Sequence, residues 1–169
     1  MTIIDDEQYN TEEAEQIAAG SHVRAQAAGL LKKVVMYVTR RRDGRDELLV
    51  FEHRDHPTAG LQVPAGTVEP GEAAIDAARR ELMEESGLVD LPLRGRIDVY
   101  EWLNPATRNL HRRHVYHFLA GDSLPAAWDH SVSSGAEDHG LVFQFRWVLF
   151  ADAERELTGD QGRSIGRLT

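Results

Sequence analysis

Apolar residues occur along this chain mainly in short runs with the two-residue spacing of strands. Two runs rich in β-branched and aromatic residues, at 33–39 and 47–53, lie on either side of Asp43-Gly44. An Asp-Gly pair between two such runs predicts a tight hairpin turn, because both central positions of that turn need a positive φ. Residues 143–147 alternate between apolar and polar side chains, which indicates a half-buried strand.

One segment has helical rather than strand spacing. Residues 73–86 carry an apolar stripe of alanines with Leu82 and Met83, and Gly87 follows in the position of a left-handed helix cap. Further strands are predicted at 61–63, 97–103 and 113–120. The stretch 121–140 is rich in Gly, Ser, Pro, Asp and His and predicts a long loop. Strands on both sides of one central helix predict an α/β fold in which helices pack on a mixed β-sheet.

The length of the chain and its local composition predict how it is divided. A chain of 169 residues suits a single domain with one sizeable core. We expect an acidic N-terminal extension at 1–29, a domain at 30–157 and a flexible tail at 158–169, where glycines recur. The extension either forms a short helix capped by Thr11 or is loosely ordered.

Charge and cysteine content exclude several classes of function. With 28 acidic and 19 basic residues and a formal net charge of −9, the chain does not resemble proteins that coat nucleic acid, which need a basic face. It has no cysteine, which excludes disulfides, thiolate zinc sites and a cysteine nucleophile. The sequence shows neither a secretory leader nor an apolar run near the roughly 18 residues of a membrane helix, so a cytoplasmic protein without a membrane partner is expected.

Three acidic residues are crowded at the end of the predicted helix. Glu81, Glu84 and Glu85 stand at i, i+3 and i+4, so they share one helix face and their like charges repel. Their place in the last turn also opposes the helix dipole, which favours cations there. One interpretation is a solvated acidic face. The other is a site for a hard divalent cation, Mg²⁺ or Mn²⁺, which prefers carboxylate oxygens.

The segment around these acids resembles a known motif. Residues 66–88 read GTVEPGEAAIDAARRELMEESGL. They are similar to the Nudix box, G-x5-E-x7-R-E-U-x-E-E-x-G-U with U aliphatic. Every defined position of the pattern is matched, by Gly66, Glu72, Arg80, Glu81, Leu82, Glu84, Glu85, Gly87 and Leu88. By this resemblance the chain is identified as a member of the Nudix hydrolase family.

The resemblance implies a fold and a metal-dependent activity. The fold is an α/β/α sandwich with a mixed β-sheet, in which the box forms a loop–helix–loop motif. The reaction is Mg²⁺-dependent hydrolysis of a pyrophosphate linkage in a nucleoside diphosphate joined to a group X, with Mn²⁺ as a substitute. Candidates for the substrate are ADP-ribose or another nucleotide sugar, a dinucleoside polyphosphate, or a nucleoside triphosphate. Metal ligands by the match are Glu81, Glu84, Glu85 and the carbonyl of Gly66; Arg80, paired with Glu72, belongs to the catalytic set by tying the loop to the helix.

Two residues compete for the role of general base. Glu137 follows the flexible stretch 133–136 and is the candidate for a loop-borne base, as in some members of the family. The rival assigns the base to Glu81 and leaves Glu137 solvated. The resemblance also leaves open a non-catalytic domain that senses or binds a nucleotide, and an isomerase of isoprenoid diphosphates, although the latter normally needs a cysteine. The partners expected are a nucleotide-type substrate and a second copy of the chain as a homodimer; no DNA-binding module is evident.

The histidines and arginines near residue 113 are further candidate site residues. His111, His114 and His117 do not predict a metal site, because strand geometry turns His114 away from the other two. Arg112 and Arg113 are either polar residues of a sheet face or contacts to a substrate phosphate. The aromatic residues Tyr100, Trp102 and Phe143 are either core residues or a stacking surface for a base.

Overall fold

The fold is organised around one long strand, β1 (Gly29–Arg42), in the middle of a mixed sheet. The computed structural model describes residues 29–133 and 138–168. After β1 come β2 (Arg45–His53), a 3-10 turn at Pro57–Ala59, β3 (Ala65–Thr67), α1 (Ala74–Ser86), β4 (Leu93–Leu103), β5 (Asn109–Leu119), β6 (Ala127–Ser131), β7 (Val142–Leu149), α2 (Phe150–Glu156) and a 3-10 turn at Ile165–Arg167. The N-terminal extension, with the helix predicted after Thr11, lies outside the described residues.

In the described part of the chain, residues 29–133 and 138–168, the sheet has seven strands, and two of them separate beside β1. The order is β4-β5-β1-β2-β7-β6, with β1 parallel to β5 and antiparallel to β2. The end of β1, Thr39–Arg42, pairs with β2, whereas Lys33–Val35 pairs with the short strand β3. Between these two regions, Gln62 bridges to Phe51 of β2. Residues 62–67 therefore form a wedge between β1 and β2, and the strands diverge there.

Both faces of the sheet are covered, which confirms the α/β architecture. Val34, Met36 and Val38 on one face of β1 pack in a cluster with the alanines of α1. Val35 and Tyr37 on the other face pack with Ala153 of α2 and with the chain that follows it. A strand buried on both sides carries a continuous apolar run rather than an alternating one, as residues 34–38 do. None of the helices in the described part of the chain is long and apolar enough to cross a membrane.

The hairpin and the helix form where the sequence predicts them. Asp43 and Gly44 have φ values of 51° and 74°, so the Asp-Gly pair makes the turn with two positive φ angles. The helix α1 ends at Ser86, and Gly87 adopts the left-handed conformation at φ 76° while its N–H donates to the Met83 carbonyl. Gly87 thus stops the helix directly after its acidic last turn.

Two predictions about strands differ from the structure. The strand expected at 61–63 consists of isolated bridges, and the strand that pairs with β1 is β3. The long loop expected at 121–140 contains the edge strand β6, which pairs with β7. Trp128 and His130 of β6 point toward α1, where they contact the carbonyls of Ser86 and Glu84. The sequence of β6 does not show the apolar alternation of a half-buried strand. Its inward side chains are Trp128 and His130, and its outward positions are exposed.

The C-terminal segment 158–168 is packed, and it differs from the flexible tail that was expected. Gln161 accepts a hydrogen bond from Tyr37 Oη through its carbonyl, and its side-chain oxygen accepts one from the Val63 amide at 2.9 Å. Ser164 donates to Asp98 at 2.6 Å. Gly159 turns the chain with a φ of 61°, and a Cβ at Gly162 would lie 2.9 Å from the Glu154 carbonyl oxygen. The packed part of the domain therefore continues to residue 168.

Substitution of Ile165, which is 4% exposed, tests this packing. We expect Ile165→Ala to lower the free energy of unfolding by about 2–3 kcal/mol, because it removes buried apolar surface and leaves a cavity. The matched control is Gly166→Ala, since a Cβ there meets open space, and it should change stability by less than about 0.5 kcal/mol. Denaturant unfolding measures both. Equal stability of the two variants would mean that the segment is not part of the core.

Candidate active site

The acidic residues are presented by the loop–helix unit formed by β3 and α1. The helix packs its small apolar stripe against the sheet: Ala74, Ala77, Ala78 and Leu82 are all buried. Because these side chains are small, the helix lies close to the sheet. The helix face next to the apolar stripe then lies against β3. This face carries Glu81, Glu84 and Glu85, whose exposure is low for acidic residues. The interpretation of a solvated acidic face is therefore not what the structure shows.

Arg80 is the centre of the polar network at this face. It holds Glu72 through two hydrogen bonds, of 2.8 Å from Nε and 3.0 Å from Nη2. Its Nη1 donates to Glu81 at 2.9 Å and to Glu84 at 3.3 Å, and its Nη2 also donates to the Thr67 carbonyl at 2.9 Å. The hydrogen bonds from Arg80 lower the pKa of Glu72. Arg80 thus joins the loop to the helix and balances several carboxylates.

Glu81 lies against the backbone of Gly66. Its Oε1 accepts a hydrogen bond from the Thr67 amide at 3.2 Å. A Cβ built at Gly66 would overlap the carboxyl group of Glu81. The glycine is therefore needed because of space rather than because of backbone conformation. Burial raises the pKa of Glu81 above its ordinary value, although the Arg80 guanidinium opposes this effect.

Glu85 is the most deeply buried of the three acids. It is 5% exposed, and its Oε2 accepts a hydrogen bond from the Ala65 amide at 3.0 Å. Burial raises the pKa of Glu85 well above its ordinary value, and the nearby positive charge of Lys33 partly opposes this. A cation beside this carboxylate would stabilise its charged form.

A cavity of about 360 Å³ opens beside the box, where β1 and β2 diverge. Gly66 and Glu85 line it from the box. The other polar side chains in its wall are His53, Gln62, Lys33, His111, Arg113, Asp138 and Gln161. The volume falls within the range of small-molecule sites. The cavity therefore brings basic groups and carboxylates into one space.

The acids provide suitable metal donors without forming a finished metal centre. In residues 29–133 and 138–168, no three histidine, aspartate or glutamate side chains converge closely enough to hold a metal ion. The oxygens of Glu81, Glu84 and Glu85 bond to Arg80 or to backbone amides instead. Their donor chemistry nevertheless fits a hard cation, since carboxylate oxygens are the ligands that Mg²⁺ prefers. Burial raises the pKa values of Glu81 and Glu85, and a bound cation would favour their charged forms.

Only some of the other candidate residues lie at the cavity. Glu137 lies outside the described residues, while its neighbour Asp138 lines the cavity. Arg113 and His111 also line the cavity, whereas Arg112 forms an ion pair with Glu101 at 3.0 Å. Among the aromatic residues, Tyr100 and Phe143 are buried in the core, and Phe143 also lines the cavity.

The three histidines of β5 are dispersed, as strand geometry predicts. His114 lies on the face that packs against α1 and hydrogen-bonds with Arg96 at 3.1 Å between Nδ1 and Nη1. His117 lies on the other face, at 2.7 Å from the hydroxyl of Thr39. Burial lowers the pKa of each of them, to about 3 for His114 and about 4 for His117.

Sequence reasoning did not single out Lys33, Asp138 or Gln161, which also line the cavity. Two signals could have identified them: Lys33 is the first residue of a predicted strand, and Asp138 directly follows the candidate base Glu137. No sequence pattern indicates a role for Gln161, because the sequence predicts a flexible tail at 158–169.

Comparisons with known proteins place the whole described domain in one family. The family model of the NUDIX domain matches residues 30–167. The NUDIX domain of Shewanella oneidensis NrtR, crystallised with ADP ribose, superposes with a TM-score of 0.62 at 19% identity, over 92% of this chain and 96% of that one. A C. elegans Ap4A hydrolase gives 0.58 at 17% identity, with 82% and 96% covered. A MutT NUDIX hydrolase from Burkholderia pseudomallei gives 0.58 at 20% identity, with 83% and 98% covered. No curated protein matches the chain.

Substitution of Gly66 tests the close contact with Glu81. We expect Gly66→Ala to destabilise the protein by about 1–3 kcal/mol, because the added methyl group forces the Glu81 side chain out of its position. In a Glu81→Ala background the same substitution should cost much less, since the obstructing side chain is absent. Unfolding of the four proteins forms a double-mutant cycle. An equal cost in both backgrounds would contradict the contact.

Proposed function

The chain belongs to the Nudix hydrolase family, and we propose that it hydrolyses a pyrophosphate linkage in a nucleoside diphosphate joined to a group X, with Mg²⁺ or Mn²⁺ as cofactor. The observation that carries this proposal is the buried carboxylate of Glu85 in the wall of a cavity that also contains basic side chains. Such a cavity suits a substrate that is anionic and arrives with a divalent cation. ADP-ribose, nucleotide sugars, dinucleoside polyphosphates and nucleoside triphosphates are the candidate substrates.

The residues that would hold the metal are those of the box. Glu81, Glu84, Glu85 and the carbonyl of Gly66 supply hard oxygen ligands within one loop–helix unit. When bound, the metal ion neutralises phosphate oxygens and lowers the pKa of a water molecule. Arg80 already contacts Glu72, Glu81 and Glu84, so it keeps the acids close together while their charges repel.

The remaining parts of the site bind and orient the substrate. Lys33 and Arg113 attract its anionic part, and the buried wall excludes bulk water from the reacting phosphorus. A carboxylate orients the attacking water and accepts its proton. Glu137 is the proposed base, and its neighbour Asp138 in the cavity wall supports this assignment. Glu81 is the rival, since it lies against Gly66 at the box end of the site.

A nucleotide-binding domain without catalysis is the alternative. The NrtR NUDIX domain in its ADP-ribose complex is a relative by fold that binds a nucleotide sugar. The three acids of the box favour hydrolysis, because binding alone does not need all of them. A screen of the candidate substrates and capped RNA, read by product chromatography, separates the two functions. Cytoplasmic location and a homodimer stay predictions from the sequence.

Metal removal and substitution of the acids test the proposed cofactor. Chelator-treated protein should lose turnover and regain it when Mg²⁺ is added. Glu84→Gln and Glu85→Gln should each lower kcat by about 100-fold or more, the scale of removing transition-state electrostatic stabilisation. Glu156→Gln, an exposed acid on α2, is the control and should leave kcat unchanged. Full turnover in excess EDTA would refute the metal requirement.

A pair of variants decides between the two candidate bases. If Glu137 is the base, Glu137→Gln should lower kcat by about 100-fold, the lower end for loss of acid–base catalysis, with little change in Mg²⁺ affinity. If Glu81 is the base, Glu81→Gln should abolish most turnover and Glu137→Gln should have almost no effect. Steady-state kinetics over a range of Mg²⁺ concentrations measures both quantities. A Glu137→Gln enzyme with wild-type kcat would end the first assignment.

A further inference from the structure

Two basic side chains lie side by side in the cavity wall. Lys33 of β1 and Arg113 of β5 are register partners in neighbouring parallel strands. Paired residues of adjacent strands project from the same face of a sheet. Both line the cavity, and Arg113 is 6% exposed, so its positive charge is buried.

Neither charge of this pair is neutralised by a contact ion pair, although the Glu85 carboxylate in the same cavity wall interacts electrostatically with Lys33. Within residues 29–133 and 138–168, no carboxylate forms an ion pair with Lys33 or Arg113. Arg40 is equally buried, at 5% exposed, but it pairs with Glu47 at 2.7 Å. A buried cation without an anionic partner is unfavourable, because it has lost its hydration without compensation. The cavity therefore favours an anion beside Arg113.

Uncharged groups hold the two cations in place. The guanidinium of Arg113 lies 4.1 Å from the centroid of the Trp102 ring and donates to the Tyr100 hydroxyl at 3.3 Å and to the Gly159 carbonyl. Lys33 Nζ donates to Thr67 Oγ1 at 2.7 Å. These contacts fix the donors without cancelling their charge. Donors that are already ordered bind an anion at a smaller entropic cost.

A neutral histidine lies beside the basic pair. His111 lines the same cavity, two residues before Arg113. Burial and the charges of Lys33 and Arg113 lower the pKa of His111 to about 4. A neutral imidazole adds a hydrogen-bonding group to this part of the wall without adding charge.

The basic pair lies beside the box and not within it. The strand β3, which carries Gly66, and the strand β5 lie on opposite sides of β1. Two strand spacings, about 10 Å, therefore separate the backbone of Gly66 from that of Arg113. If the reacting pyrophosphate lies at Gly66 and Glu85, Arg113 is positioned to meet a different part of the same substrate.

This deduction rests on the proposed function. We propose that Lys33 and Arg113 bind a further phosphate group of the substrate, beyond the pyrophosphate that is cleaved. The favoured substrates then carry at least three phosphates in a chain, as dinucleoside polyphosphates and nucleoside triphosphates do. ADP-ribose is disfavoured, because its terminal ribose has no charge to place beside Arg113.

Paired substrates test which part of the substrate the cations contact. kcat/KM is measured for diadenosine tetraphosphate and for ADP-ribose, or an inhibition constant where ADP-ribose is not hydrolysed. Lys33→Gln and Arg113→Gln should each lower kcat/KM for the tetraphosphate about 10- to 100-fold, the scale of a hydrogen bond to a charged group, and leave ADP-ribose nearly unchanged. Arg146→Gln, whose arginine pairs with Glu52 outside the cavity, is the charge-matched control and should change neither. Equal losses for both substrates would overturn the proposal.

A binding measurement keeps this result separate from the proposed hydrolysis. Inorganic tripolyphosphate is titrated calorimetrically into wild type and variants in EDTA, so that only protein groups attract it. Lys33→Gln and Arg113→Gln should weaken binding about 10- to 100-fold, while Arg113→Lys, which keeps the charge, should retain most of it. Thermal unfolding checks that each variant is folded. Equal binding by wild type and both Gln variants would overturn the anion site even if hydrolysis is found. Charge-dependent binding without any hydrolysis would sustain the anion site and reject the proposed function.

Discussion

The contacts of the Arg80 guanidinium are the interaction on which the acidic site depends. Glu81, Glu84 and Glu85 would repel one another at the end of a helix whose dipole disfavours them. Arg80 offsets this repulsion for two of them and also bonds Glu72 and the loop backbone. Because one planar group meets the loop and the helix together, the carboxylates are held near the sheet before any cation binds. The repulsion is thus offset for Glu81 and Glu84 within residues 66–88, whereas Glu85 is held by the amide of Ala65.

Several local elements of the fold and of the site were predictable, because they depend on short-range chemistry. The turn at Asp43-Gly44 and the helix end at Gly87 both follow from backbone freedom that glycine supplies. The acid spacing places the carboxylates on one helix face whatever the rest of the fold does. The continuous apolar run at 34–38 is typical of a strand buried on both sides, and this is its position. Each of these conclusions needs only residues that are close in sequence.

The cavity could not be predicted, since it depends on contacts between distant parts of the chain. Lys33 and Arg113 become neighbours only through the parallel pairing of β1 with β5. The edge strand β6 has no apolar alternation, so its pairing with β7 left no pattern to detect. The glycines after residue 157 predict fraying, but Gly159 makes a turn with positive φ, Gly162 packs closely against Glu154, and Gln161 bonds to Val63. Composition alone does not distinguish a packed irregular segment from a loose one, because both are polar and rich in glycine.

The position of Gln161 in the wall of the cavity has a consequence for biosynthesis. Its side chain bonds to the amide of Val63, a residue 98 positions earlier in the chain. When residues 66–88 have left the ribosome, the acidic motif is complete, but the part of the cavity wall that residues 111–161 supply has not yet been made. The Gly159 carbonyl, which holds Arg113, is added just as late. The acidic motif is thus complete early, while the compartment beside it closes only after nearly the whole domain has been synthesised.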